Sequence, residues 1–254
     1  QEQVFFGHGT DNSWDEAVSL VLQLLNLPWD FDKELWSCKL TSSERQKVLE
    51  ALDKRVTQRI PLPYITQQAW FCDYQFYVDE RVLIPRSPIA ELIQNNFSPW
   101  ADFEFEAPEF ILDICTGSGC IGIACALAFE DADVDLLDIS EDAIQVANKY
   151  ILNFELQNRV RTIQSDGFKA LNQDYKGKYK LIVSNPPYVD KDDFSSMPEE
   201  FKSEPELGLV SGDDGLNCAH AILKNASKHL SEDGLLVLEL GNSWVALEEF
   251  YSSV

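Results

Sequence analysis

The chain has 254 residues, 45% of them hydrophobic, and carries 43 acidic against 20 basic side chains, a formal net charge of −23. That length and apolar content suffice for a sizeable core in one or two domains, and no apolar run is long enough to span a bilayer. The charge excludes the basic footprint on which nucleic-acid binding depends and suits a basic protein partner, although much of the acid serves solubility alone.

The helical patterns come first. Ser13 and Glu16 have capping-box spacing ahead of Ala17, Leu20, Val21, Leu24 and Leu25, and the run ends by Pro28. Thr41 and Glu44 repeat the device ahead of Val48, Leu49, Leu52 and Val56, which end by Pro61. These stripes predict a small helical core over residues 1–66. Residues 67–105 follow as a linker. Within it, alternating aromatic and polar side chains from 69 to 84 predict a β-hairpin, and Ser87 and Pro88 cap a short helix reaching Phe97. Beyond it, residues 106–254 alternate strand and helix, the pattern of an α/β doubly wound parallel sheet. Six cysteines without a C-x-x-C pair read as small packing residues in a reducing compartment, here the cytoplasm. His8, His220 and His229 are scattered, so neither a metal site nor a catalytic triad is expected.

The apolar run Phe110-Ile111-Leu112 leads into Asp113-Ile114-Cys115-Thr116-Gly117-Ser118-Gly119-Cys120-Ile121-Gly122 and then a helical stretch. Gly117, Gly119 and Gly122 fit G-x-G-x-x-G, a weak signal alone. Strand-end acids sharpen it. Asp113 is placed to meet a cationic amino group, and Asp138, after Val134-Asp135-Leu136-Leu137, to bind a ribose hydroxyl pair. Asp166 closes a third strand, where a helix cap or turn role is an open alternative. Ser140, Glu141 and Asp142 open the helix after Asp138.

Asn185-Pro186-Pro187-Tyr188 follows Leu181-Ile182-Val183, at the C-terminal edge of a buried strand. The asparagine side chain offers an acceptor and donors, the prolines stiffen the turn and leave its carbonyls free, and Tyr188 offers a flat face. Such a turn can hold a planar –NH₂ group and aim its lone pair outward. A Pro-rich turn of no chemical role is the bland alternative.

Glycine loop and Asn-Pro-Pro-Tyr turn together resemble the class I (Rossmann-like) S-adenosylmethionine-dependent methyltransferases that modify nitrogen. Val183-Ser184-Asn185-Pro186-Pro187-Tyr188-Val189, Glu204-Pro205-Glu206-Leu207-Gly208-Leu209 and Gly212-Asp213-Asp214-Gly215-Leu216 are similar to the bacterial protein-(glutamine-N5) methyltransferases. Val82-Leu83-Ile84-Pro85-Arg86-Ser87-Pro88-Ile89, Ala69-Trp70-Phe71-Cys72, Phe76-Tyr77-Val78-Asp79-Glu80-Arg81 and Gly7-His8-Gly9-Thr10-Asp11-Asn12 resemble the branch acting on the third large-subunit ribosomal protein, rather than the one acting on release factors. The resemblance implies a helical substrate-gripping part and S-adenosyl-L-methionine held by Asp113, Thr116, Gly117, Ser118, Gly119, Asp138, Ile139, Asp166, Gly167, Phe168 and Asn185. Arg86 joins that set as a channel residue or, with equal claim, forms an ion pair. Asn185, Pro186, Pro187 and Tyr188 would hold the substrate amide.

Two departures stand out. Gly167, not an aromatic residue, follows Asp166, so adenine stacking falls to Phe168 or is lost. The family's sheet carries two more strands after Gly234-Leu235-Leu236-Val237-Leu238-Glu239-Leu240, whereas this chain stops at Val254, and its start, Gln1, lacks an initiator methionine. Both ends are therefore expected to be trimmed. Nothing fixes the oligomeric state, and a monomer is compatible with the sequence. The rivals are a base amino-methyltransferase of DNA or RNA, disfavoured by charge, a nicotinamide-dependent dehydrogenase, which leaves the turn unused, and a silent scaffold that only binds a ribosomal partner.

Overall fold

A computed structural model describes residues 4–252; Gln1 and Val254, the ends remarked on above, lie outside them. Helix α1 spans Ser13–Leu24, α2 Ser42–Thr57 and α3 Leu62–Thr66. They pack around Leu20, Ala51 and Leu62. Thr41 and Glu44 form the capping box their spacing predicts. The first helix departs from its prediction. Its cap is Asn12, whose side chain accepts from Trp14 N–H and Asp15 N–H, so Ser13 already lies inside the helix. Glu16 turns inward instead, to Arg55 of α2. The face of α2 differs too. Val48, Ala51 and Arg55 turn toward α1 and α3, while Leu49, Leu52 and Val56 stand exposed. A period of 3.6 says which residues share a face, and the neighbours decide which face is covered.

The predicted hairpin is real but short: β1, Ala69–Phe71, pairs antiparallel with β2, Tyr74–Phe76, across Cys72 and Asp73, both at positive φ. After it the chain leaves strand geometry. Asp79 accepts from the Arg81 N–H and guanidinium, closing a tight turn. Val78, Val82 and Ile84 are buried as irregular chain. Helix α4, Ile89–Gln94, starts with Ser87 Oγ accepting from Ile89 N–H. It stops short of Phe97 because Asn96 and Phe97 adopt positive φ.

The remaining elements are β3 Phe110–Ile114, α5 Cys120–Ala128, β4 Asp133–Asp138, α6 Glu141–Asn153, β5 Val160–Gln164, β6 Tyr179–Ser184, α7 Lys191–Ser196, α8 Asn217–Ala226, β7 Leu230–Leu238 and α9 Trp244–Ser252; they follow the predicted alternation except that no α-helix separates β5 from β6 and two helices, α7 and α8, lie between β6 and β7. Their strands form one parallel sheet in the order β5-β4-β3-β6-β7. Successive side chains of a strand point to opposite faces. Ile111, Val134, Leu136, Leu181 and Val183 face a core built with α4, α5 and α6. Leu112, Ile114, Leu137 and Ile182 face the other side, with Ile222 and Ala226 of α8. The chain runs outward from β3 through β4 to β5 and then returns to the other side of β3 with β6, and that topological switch point between β3 and β6 opens the crevice where such sheets bind ligands. No helix among the described residues is long and apolar enough to cross a membrane.

Candidate functional site

A cavity of about 700 Å³ lies at the C-terminal ends of β3, β4 and β6. Gly117, Asp138, Ile139, Asp166, Gly167, Phe168, Asn185 and Pro187 all line it. Ile114, Leu137 and Ile222 supply apolar floor, and Leu83, Pro205 and Leu207 form a further wall.

Asp138 organises one side. Its Oδ2 accepts from Gly117 N–H at 2.8 Å and its Oδ1 from Ser140 N–H at 2.9 Å. Burial pushes its carboxyl above the usual range, opposed by those backbone donors. A carboxylate has room for further donors, so a hydroxyl pair can be accepted here. Gly117 has φ +57 and nothing within 4 Å of where a Cβ would stand, so its backbone is open to a ligand. On the far side the Phe168 ring stacks on His229, centroids 4.8 Å apart and planes 18° apart, and both border the cavity. A carboxylate beside an open glycine turn, an apolar floor and an aromatic wall fit a ribose, its backbone-cradled neighbour and a flat base.

Other expected ligand residues lie elsewhere. Asp113 shares the strand face of Ile111 and turns under the loop toward α5 rather than into the cavity. There its Oδ2 accepts from Thr116 Oγ1 at 2.5 Å and Gly122 N–H at 2.9 Å, while Oδ1 is buried without a partner. Burial lifts its carboxyl to about 7, against the pull of those two donors. A Cβ on Gly122 would sit 2.2 Å from Leu136 Cδ2, so only glycine lets α5 approach the sheet this closely. Thr116, Ser118 and Gly119 are buried behind the loop and do not border the cavity. Arg86 does not line it either: its guanidinium donates to Glu204 Oε2 at 2.8 Å, the ion-pair alternative.

Asn185 follows directly on β6 and borders the cavity; among the described residues its side chain makes no hydrogen bond. Pro186 is buried beside it. Tyr188 stands behind the turn rather than in the cavity lining. Its hydroxyl donates to Glu239 Oε1 at 3.4 Å, and Gly241 lies so close that a Cβ there would meet the ring at 2.7 Å. Glu239, whose other oxygen accepts from Ser87 Oγ at 2.5 Å, is raised by burial against the bonds from Ser87 and Tyr188. It follows directly on β7, one residue beyond the place Asp138 holds at the end of β4, so the strand-end rule that found Asp138 points to it as well. Cys115 and Cys218 also border the cavity, sulfurs 3.7 Å apart, which no sequence spacing signals. The described residues hold no group of three or more His, Cys, Asp or Glu arranged for a metal ion.

Known proteins place this geometry. The family profile described as "Methyltransferase small domain" matches residues 102–204. A ribosomal protein uL3 glutamine methyltransferase of Francisella tularensis subsp. tularensis is 50% identical over 246 residues, 97% of this chain and 77% of the relative. Another of that name, from Neisseria gonorrhoeae, is 45% identical over 248 residues, 98% and 81%. Among solved structures, the hMettl16 catalytic domain in complex with MAT2A 3'UTR hairpin 1 superposes with TM-score 0.52 at 16% identity, covering 84% of this chain and 72% of that one, a likeness of fold alone. Identity of that extent to enzymes of one name, on a sheet whose switch point carries both the glycine turn and Asn185, settles the relationship: the chain belongs to the ribosomal protein uL3 glutamine methyltransferase family.

Proposed function

We propose that the protein transfers a methyl group from S-adenosylmethionine to the side-chain amide nitrogen of a glutamine in ribosomal protein uL3. The observation that carries the reading is that Asn185, its side chain uncommitted, borders the same cavity as the Asp138–Gly117 cradle. When bound, S-adenosylmethionine supplies an electrophilic methyl on a sulfonium. The chain's residues do the rest. Asp138 accepts the ribose hydroxyls, Gly117 gives backbone room, and the Phe168 wall flanks the base. Asn185 Oδ1 and the Pro186 carbonyl each accept one N–H of the substrate amide, which orients a nitrogen whose lone pair is otherwise delocalised. Tyr188, braced by Glu239, backs the turn that holds the amide. The alkylated amide nitrogen sheds its proton readily, so no general base is assigned.

Residues 1–66 are the natural grip for the protein substrate. Leu49, Leu52 and Val56 form an exposed apolar stripe on α2, and Trp14 is 67% exposed at the start of α1. The net charge of −23 favours a basic partner over a nucleic acid. A ribosomal-protein substrate supports a cytoplasmic site for the reaction.

Incubation with isotopically labelled methyl donor and purified uL3, release factor or ribosomal RNA, followed by mass spectrometry, tests the reading. One labelled glutamine on uL3 is expected. Label on the release factor or the RNA and none on uL3 would replace the substrate. The cradle has its own test. Asp138→Ala should weaken S-adenosylhomocysteine binding in calorimetry by about 1.5–3 kcal/mol, the value of a hydrogen bond to a charged group. Unchanged affinity would move the ribose elsewhere.

A further inference from the structure

Three stretches that carry the resemblance, around His8, Arg86 and Glu204, are far apart in sequence and meet at one carboxylate. The Glu204 side chain is 0% exposed. Its Oε1 lies 2.9 Å from His8 Nε2, and its Oε2 accepts from Ile84 N–H at 3.0 Å and Arg86 Nη1 at 2.8 Å. Burial opposes its charge, but the bonds from His8 and Arg86 win and hold the carboxyl below its ordinary range. The Phe201 ring closes the node, 4.6 Å from the His8 ring and under the Arg86 guanidinium at 5.3 Å.

None of these groups borders the cavity, but the chain directly after Glu204 does, through Pro205, Leu207, Gly208 and Val210. Gly208 lies against Leu83 so closely that a Cβ would meet its Cδ1 at 2.8 Å. The same wall then pairs with the substrate turn. Leu209 C=O accepts from Tyr188 N–H at 3.1 Å and Val189 N–H at 2.8 Å, and Ser211 N–H donates to Val189 C=O at 3.0 Å. A displacement at Glu204 is thus passed along a short, bonded segment to the residues following Asn185.

We propose that Glu204 is a positioning residue for methyl transfer: held by Arg86 and His8, it fixes the wall 205–211 and through it the placement of the Asn185 turn. Asp138 and Gly117 are anchored independently, on β4 and the glycine loop, so the methyl-donor side of the cavity does not depend on this node. The proposal rests on the reading of Asn185 as the group that orients the substrate amide.

Glu204→Gln keeps the shape and an acceptor for Ile84 N–H but removes the charge facing Arg86. S-adenosylhomocysteine affinity in calorimetry should stay within about threefold of wild type, while kcat on uL3 falls at least about tenfold, the signature of lost positioning rather than lost binding. Arg86→Met, which acts on the node from its other side, should give the same split, and the double variant should lose less than the product of the two losses. Hydrogen exchange reads the node without any activity. Amides of 205–211, and those of Tyr188 and Val189, should exchange at least about tenfold faster in either variant. Wild-type exchange at Tyr188 and Val189, or an undiminished kcat, overturns the proposal. So does a fall in donor affinity that matches the fall in kcat, which marks a general loss of folded enzyme. If the wild-type enzyme methylates no uL3, the functional reading fails, while faster exchange at Tyr188 and Val189 would still uphold the mechanical link.

Discussion

Asn185→Ala is expected to cut turnover on the glutamine substrate by about 10²–10³, as when one preorganised hydrogen-bonding group is lost from an active site. Binding of S-adenosylhomocysteine should change little, because Asp138, Gly117 and Phe168 line the cavity from other strands and loops. The effect is large because an amide is a poor nucleophile and its orientation is what the site contributes. The Asn185 side chain is engaged by nothing else among the described residues, so its removal breaks no internal bond and leaves the fold intact. Asn185→Asp keeps an acceptor in the same shape but adds a charge, and turnover should still fall. Single-turnover measurement alongside calorimetry separates the two steps. Wild-type turnover in Asn185→Ala would show that the substrate nitrogen is held elsewhere.

The second large effect concerns the fold. Arg55 is 4% exposed and donates to Glu16, to Glu200 Oε1 at 3.1 Å and to Phe5 C=O at 2.6 Å. Arg55→Met leaves Glu16 without its guanidinium partner inside the protein and should cost about 3–5 kcal/mol, the penalty of stranding one side of a buried pair. The comparison of urea midpoints at fixed slope gives the number. The loss should persist at high salt, because buried pairs are screened far less than exposed ones. A cost below about 1 kcal/mol would class the cluster with surface ion pairs. Arg55→Met combined with Glu16→Leu should recover part of the loss, since an apolar replacement of both partners strands less charge.

The features legible in the sequence are those written in local code. The Thr41–Glu44 cap, the Ser140 cap of α6, the glycine turn and the alternation of strands with helices each depend on residues a few positions apart. The position of Asn185 and Asp138 at the cavity was legible because a strand-end residue at a switch point needs only the strand to be recognised. Asp113 shows how that rule fails. It shares the sheet-face parity of Asp138 and Asn185, but it lies one residue before β3 ends, so the glycine loop and α5 close over it and its carboxylate is taken up by Thr116 and Gly122 N–H. The partner of Arg86 and the covered face of α2 were illegible for another reason. Their surroundings come from distant chain: Glu204 captures Arg86, and α1 and α3 select the Ala51 face of α2. Asn12 displaced Ser13 as cap because neighbouring polar residues compete for the same helix start, and the capping rule ranks them nearly equal.

The closure of the N-terminal segment onto residues 200–204 also sets the order of events in biosynthesis. Phe5 N–H donates to Glu200, 195 positions later in the chain, and His8 meets Glu204 across 196. A ribosome must deliver the chain through Glu200 and Glu204, nearly 200 positions after Phe5 and His8, before these contacts can form. Until then Arg55 lacks one of its two carboxylates, and the wall beside Asn185 does not yet exist. Contacts of such long range close large loops, and chains that depend on them fold slowly. The substrate-side wall of an enzyme that acts on a ribosomal protein is therefore closed only once two segments nearly 200 positions apart have met.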